Sequence, residues 1–242
     1  MAVIVMIVWK IKNMNNLMNT KEAWALVGGL AKPSKMPGWA YGIPAKECKT
    51  GKKLRKIKKS TCFGCYALKG CYQFPIVQDA QYRRLNSIKN IRWVEAMAVL
   101  INSKKSKIFR WHDSGDLQSL KHLAKIYKVA KLTPGVLHWL PTREAWTKPY
   151  IAKAPKNLVV RFSMPMVDQE ALNSWGNTST VVSKPSLKSC GAFRTDKTGK
   201  IHGLNKYKRF TKKDKKELDL GHCGSCRACW KPTIKNIEYG IH

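Results

Sequence analysis

The tightest run of metal-capable residues is Cys223-Gly-Ser-Cys226-Arg-Ala-Cys229, three cysteines separated by two-residue gaps. Thiolates on either side of so short a turn converge on one centre, and a third at the same gap reaches another corner of a cubane iron-sulfur cluster. Tetrahedral zinc accepts the same pairs, so spacing alone leaves the metal open. Cys190, upstream, is the candidate fourth ligand. A second group comprises Cys48, Cys62, Cys65 and Cys71, in which Cys62-Phe-Gly-Cys65 is the one close pair. Two ligand sets compete there: Cys48, Cys62 and Cys65, or Cys62, Cys65 and Cys71 with Cys48 as a fourth. Three thiolates leave one iron open to a small molecule, whereas four close the site and suit electron transfer or structure. No basic leader or small-residue cleavage site precedes these cysteines, so free thiols in an intracellular protein are expected rather than disulfides.

The elements that must position these thiols are legible from periodicity. Ile76 to Ser103 reads as one long helix, with Ala80, Leu85, Ile88, Ile91, Val94, Met97, Ala98 and Ile101 at three- and four-residue steps. Lys107–His112 and Val136–Leu140 read as strands, with an amphipathic helix over 119–132 between them. A short helix from Glu144 to Ala152, the strand Leu158–Phe162 and a weaker strand around Thr180–Val182 follow. Such alternation predicts an α/β fold of parallel strands with crossover helices, a layer or partial (β/α) barrel. Cysteine-rich loops would flank it at both ends of the chain. Met36 to Ser60 is rich in Pro, Gly and Lys, so Cys48 is expected on a loop. The expected organisation is an N-terminal extension (1–34), an α/β core with the first cysteine group (35–189) and a cysteine-rich C-terminal extension (190–242). Met1 to Trp9 is apolar, too short to cross a bilayer, and is expected to be a strand or an extension.

In parallel α/β architectures, functional residues gather at the carboxyl ends of the strands. The segments there are His112-Asp-Ser-Gly-Asp116, Pro141-Thr-Arg-Glu144 and Ser163 to Asp168. Asp113, Asp116 and Arg143 are therefore the candidate catalytic residues, and Ser114, Gly115, Asp116 and Thr142 the candidate cofactor-binding ones. Arg143 and Arg161 suit a carboxylate or phosphate, or a structural pairing with Glu144 and Asp168. His112 and His138 fit packed strand positions as well as acid–base roles. Trp93, Trp111, Trp139 and Trp230 are expected as core mass.

Lys and Arg total 46 against 14 acidic residues, a net charge of +32 over 242 residues. The basic runs, 46–59 and 197–216, lie beside the cysteine groups and would offset the charge of thiolates and of any cluster they hold. Such a surface meets polyanions, which makes a nucleotide substrate or salt-sensitive, non-specific nucleic-acid binding the expectation, although no sequence-reading motif is present.

The segments 60–70, 111–117, 139–144 and 223–230 together resemble the bacteriophage gene product 88 family, over about Lys35 to Trp230. The resemblance implies a phage origin, hence the infected host cytoplasm, and an iron-sulfur protein distantly similar to radical S-adenosylmethionine enzymes. Those enzymes hold a 4Fe-4S cluster on three cysteines after the first barrel strand and bind the cofactor amino group after the second. Cys62 and Cys65, followed by Tyr66, match the last cysteine pair loosely, and Ser114-Gly115-Asp116 is similar to the second motif. The usual three-residue first gap is absent. Cys190, Cys223, Cys226 and Cys229 are similar to auxiliary-cluster extensions. One or two 4Fe-4S clusters, S-adenosylmethionine, an external electron donor and a small-molecule substrate are the implied partners. Zinc is the alternative metal.

Overall fold

The computed structural model describes residues 18–202 and 217–241. Six strands form one sheet: β1 (Trp39–Tyr41), β2 (Ile108–Trp111), β3 (Leu137–Thr142), β4 (Leu158–Val167), β5 (Thr178–Val182) and β6 (Asn236–Gly240). All neighbours pair in parallel, and the spatial order follows the chain order from β1 to β6. The helices of the β1–β2 and β2–β3 connections pack on one face, as in a barrel segment, whereas the β5–β6 connection crosses the other. The sheet stays open, with β1 and β6 as its edges.

Alternation along each strand sorts side chains to two faces. On one face Tyr41, Phe109, Trp111, Leu140, Leu158 and Val160 pack in a single cluster with residues of four helices. These helices are α1 (Thr20–Val27), α3 (Pro75–Ser87), α4 (Trp93–Ser103) and α5 (Leu120–Leu132), while α2 (Lys49–Leu54) belongs to the loop after β1. On the other face Ala40, Ile108, Trp139 and Ile237 pack with Met36, Cys229 and Trp230. The C-terminal cysteine segment is thus the second layer of the sheet. The four tryptophans expected in the core, Trp93, Trp111, Trp139 and Trp230, are all buried.

The long helix expected over 76–103 is two helices, α3 and α4. Lys125 from α5 donates to the carbonyls of Ile88 (2.5 Å) and Asn90 (2.8 Å), and the Asn90 side chain accepts from Arg92 N, so the backbone groups freed at the break find partners. Ile91, counted in the apolar stripe, is 93% exposed. Cys48 lies outside any regular element, as expected, and is the N-cap residue of α2. Two strands, β1 and β6, went unread, one inside the Pro/Gly-rich stretch and one within the expected extension. The strand or extension expected at Met1 to Trp9 lies outside the described residues. Among those described, no helix is long and apolar enough to cross a membrane.

Candidate metal centre

Tyr41 and Arg84 fix the root of the first cysteine loop. The Tyr41 hydroxyl bonds the carbonyls of Val27 (2.9 Å) and Arg84 (2.8 Å), and the Arg84 guanidinium donates to Gly29 and Gly42. The loop then crosses the carboxyl ends of the strands. Glu144 accepts from Thr50 N at 3.1 Å, and Thr61 N donates to the Pro165 carbonyl at 2.8 Å, with a Ser60–Met166 bridge beside it. A chain tied at β1, β3 and β4 brings Cys48 to the Cys62/Cys65 pair. Gly51 completes the packing: a Cβ there would lie 2.9 Å from Cys48 Cβ and 3.6 Å from Cys62 Sγ.

Burial pushes the Cys48 thiol far up, helped by the negative charges of Asp116, Cys65 and Cys62. Cys62 is raised by burial, opposed by the Arg143 guanidinium. Cys71 is exposed and is not among the charges felt at either thiol. Cys48 and Cys62 thus lie close together, Cys65 is within electrostatic reach of both, and Cys71 is not.

The second set is held by the other face of the sheet. Cys190 N donates to the Glu238 carbonyl of β6, and Cys223 N to the Lys35 carbonyl. Fully buried Arg161 donates to the carbonyls of Cys229 (3.1 Å), Ala228 (3.2 Å), Lys231 (2.8 Å), Ile234 (2.8 Å) and Thr178 (3.3 Å). It therefore neither faces a ligand nor pairs with Asp168, whose exposed carboxylate accepts from Ser183 N. Cys229 Sγ lies 3.1 Å from the Tyr239 hydroxyl. Burial raises Cys229 to about 12 and Cys223 to about 11, with Cys190 adding repulsion to both. Cys190 is itself raised by burial and by Cys226. Cys48, Cys62, Cys190, Cys223 and Cys229, all raised by burial, become comfortable thiolates only beside a cation. All eight cysteines are free. Among the described residues no group of three or more Cys, His, Asp and Glu side chains is placed to hold a single metal ion.

Asp116 lies beneath the first set. It accepts from Leu117 N (2.7 Å), Thr142 Oγ1 (2.7 Å) and Arg143 N (2.8 Å), and burial raises its carboxyl to about 6. Ser114 Oγ donates to the Ile43 carbonyl at 2.9 Å, and Ile43 N returns a bond to Ser114 O. Gly115, at φ 82°, lets Ile43 approach: a Cβ there would lie 2.3 Å from Ile43 Cγ1. Ser114, Gly115, Asp116 and Thr142 thus knit the strand ends together. Two residues keep capacity for a ligand. Arg143 Nε and Asp113 Oδ1 are buried without hydrogen-bond partners, and burial raises the Asp113 carboxyl against the pull of Arg110 and Arg84. His112, in the left-handed region at φ 53°, and His138 are both buried and held neutral by burial, as strand residues of the core. Such strain in a non-glycine residue at a strand end is the kind that collects at functional sites.

Sequence reasoning missed Arg110 and three tyrosines. The Arg110 guanidinium stacks on Trp139 at 4.5 Å and reaches the Tyr66 hydroxyl at 3.4 Å. It also acts on the charges of Tyr72, Tyr239, Cys223 and Cys229, which places it between the two thiol sets. The signal available was its place in β2 on the face opposite Phe109 and Trp111.

A sequence model of the family described as gene product 88 matches residues 9–232. No curated protein and no solved structure matches the chain.

Proposed function

We propose that this chain, which belongs to the gene product 88 family, is an iron-sulfur protein whose first centre is a radical S-adenosylmethionine-like redox site. The observation that supports this is the closeness of Cys48 and Cys62 around Gly51, with Cys65 in electrostatic reach of both and Cys71 not, in the loop tied to the carboxyl ends of a parallel sheet. Cys48, Cys62 and Cys65 would hold a 4Fe-4S cluster there, which when bound would supply an electron to a small molecule such as S-adenosylmethionine. Arg143, its Nε unpartnered and its charge felt at Cys62, holds the carboxylate of that ligand. Asp116 fixes Arg143 by its backbone, and Asp113 is the group able to accept a proton or an ammonium hydrogen bond. Cys190, Cys223, Cys226 and Cys229 would hold a second cluster, which when bound would pass electrons from an external donor or stiffen the second layer.

An electron carrier or reductase of a small inorganic or sulfur substrate, without turnover of S-adenosylmethionine, has one observation in its favour. Asp116 and Ser114, which the family likeness assigns to the cofactor, and Thr142, a candidate from its strand-end position, already have partners within the protein.

Anaerobic purification and iron and sulfide analysis test the reading. Two clusters give about eight iron atoms per chain; Cys48→Ser is expected to lose about half, and Cys71→Ser none. Zinc without sulfide overturns the iron-sulfur assignment in favour of stapled structural sites. Release of 5′-deoxyadenosine from the reduced protein supports the radical site; its absence from an iron-replete protein leaves the carrier.

A further inference from the structure

We propose that the loop between Lys46 and Ile76 is a docking surface for single-stranded nucleic acid, laid around the mouth of the first thiol set. Lys46, Lys49, Lys52, Lys53, Lys56, Lys58, Lys59 and Lys69 are all exposed, and Glu47 is the only acidic residue in the segment. Among the described residues none of these lysines forms an ion pair. Two of them reach neutral partners, Lys49 the Gln118 carbonyl and Lys46 the Gln78 side chain. A solvated charged face usually balances both signs; this one sets eight exposed lysines against Glu47 alone.

Charge alone would suit any polyanion. The loop also exposes large apolar side chains where a cover over a metal centre has reason to bury them: Phe63 is 57% exposed and Phe74 56% exposed. Phe63 stands between Cys62 and Cys65, and Phe74 caps the N-terminus of α3. Lysines tracking phosphates with aromatic faces free for stacking are the parts of a single-strand platform, since unpaired bases present π-faces that a duplex hides. The surface is held in place by the bonds that seat the thiols, from Thr50 to Glu144 and from Thr61 to Pro165. A strand lying on it passes beside Cys48, Cys62 and Cys65. The binding does not depend on the metal.

The test is fluorescence anisotropy with a labelled oligothymidylate, its RNA counterpart and a duplex of equal length, across a salt series. The full-length protein is expected to bind both single strands more tightly than the duplex. Lys52→Glu/Lys53→Glu/Lys56→Glu should weaken single-strand binding at least about tenfold and lower the salt slope by about 2. Phe74→Ala, and separately Phe63→Ala, should each cost single-strand affinity about tenfold while leaving duplex affinity unchanged. Charge reversal toward the amino ends of the strands, Lys128→Glu/Lys131→Glu/Lys156→Glu, controls for net charge. Equal losses from the two triple variants, equal affinity for duplex with no effect of the phenylalanines, or preferential binding to anionic lipid vesicles would each overturn the proposal. Circular dichroism of every variant separates loss of binding from loss of fold, and iron content does the same for the thiol set.

Discussion

His122 and His138 are each pushed down to about 3 by burial, and His112 well below its ordinary value by burial and by the neighbouring His122. In the unfolded chain all three take up protons near pH 6.5, so between about 6.5 and 3 the unfolded state binds more protons. Stability is therefore complete above that window and falls as pH drops through it, by up to about 1.4 kcal/mol per pH unit for each histidine. Urea unfolding at successive pH values should show this slope, and His122→Leu should flatten it by one proton's worth. Arg161 tests a different residue-scale claim. Arg161→Met leaves buried carbonyls of Cys229, Ala228 and Lys231 without a donor, at an expected cost of about 3–5 kcal/mol, together with loss of metal from the second thiol set only. A stable variant with full iron content would show that the cysteine segment is held by other contacts.

Among the elements, α2 is the joint on which the first thiol set turns. Gly51→Ala places a methyl against Cys48 Cβ at 2.9 Å and near Cys62 Sγ, so iron at the first set should fall while far-ultraviolet circular dichroism stays unchanged. Strands β2 to β5 were legible because each is an apolar or β-branched run bounded by a change of period. Strand β1 hid because Trp39-Ala-Tyr41 is three residues among prolines and glycines, and β6 because Asn236 to Gly240 borrows its register from β5 rather than from its own pattern. The helix break at Ile88 was invisible to periodicity, since the apolar steps continue through it to an Ile91 that faces solvent. At the site, both cysteine groups and the strand-end carboxylates could be read from residue type and position. The closeness of Cys48 to Cys62 could not, because it is made by ties from the loop to Glu144 and Pro165, far away in the chain.

At the scale of the whole molecule, the terminal cysteine segment and β6 complete the sheet rather than decorate it. A chain stopped after Ser189 would uncover Ala40, Ile108 and Trp139 and remove the edge strand beside β5. It is expected to aggregate, which size-exclusion chromatography against the full chain would show; a monodisperse, folded fragment would refute the two-layer account. The unbroken strand order also imposes a timetable. As the polypeptide leaves the ribosome, each strand can join the one just made, so the first thiol set becomes anchored once β4 has emerged. The second must wait for Gly240, roughly 4–15 s later at ordinary elongation rates. Under the proposed iron-sulfur function, metal delivery would then be a two-stage event, and a cell short of iron would accumulate chains loaded at the first position and bare at the second.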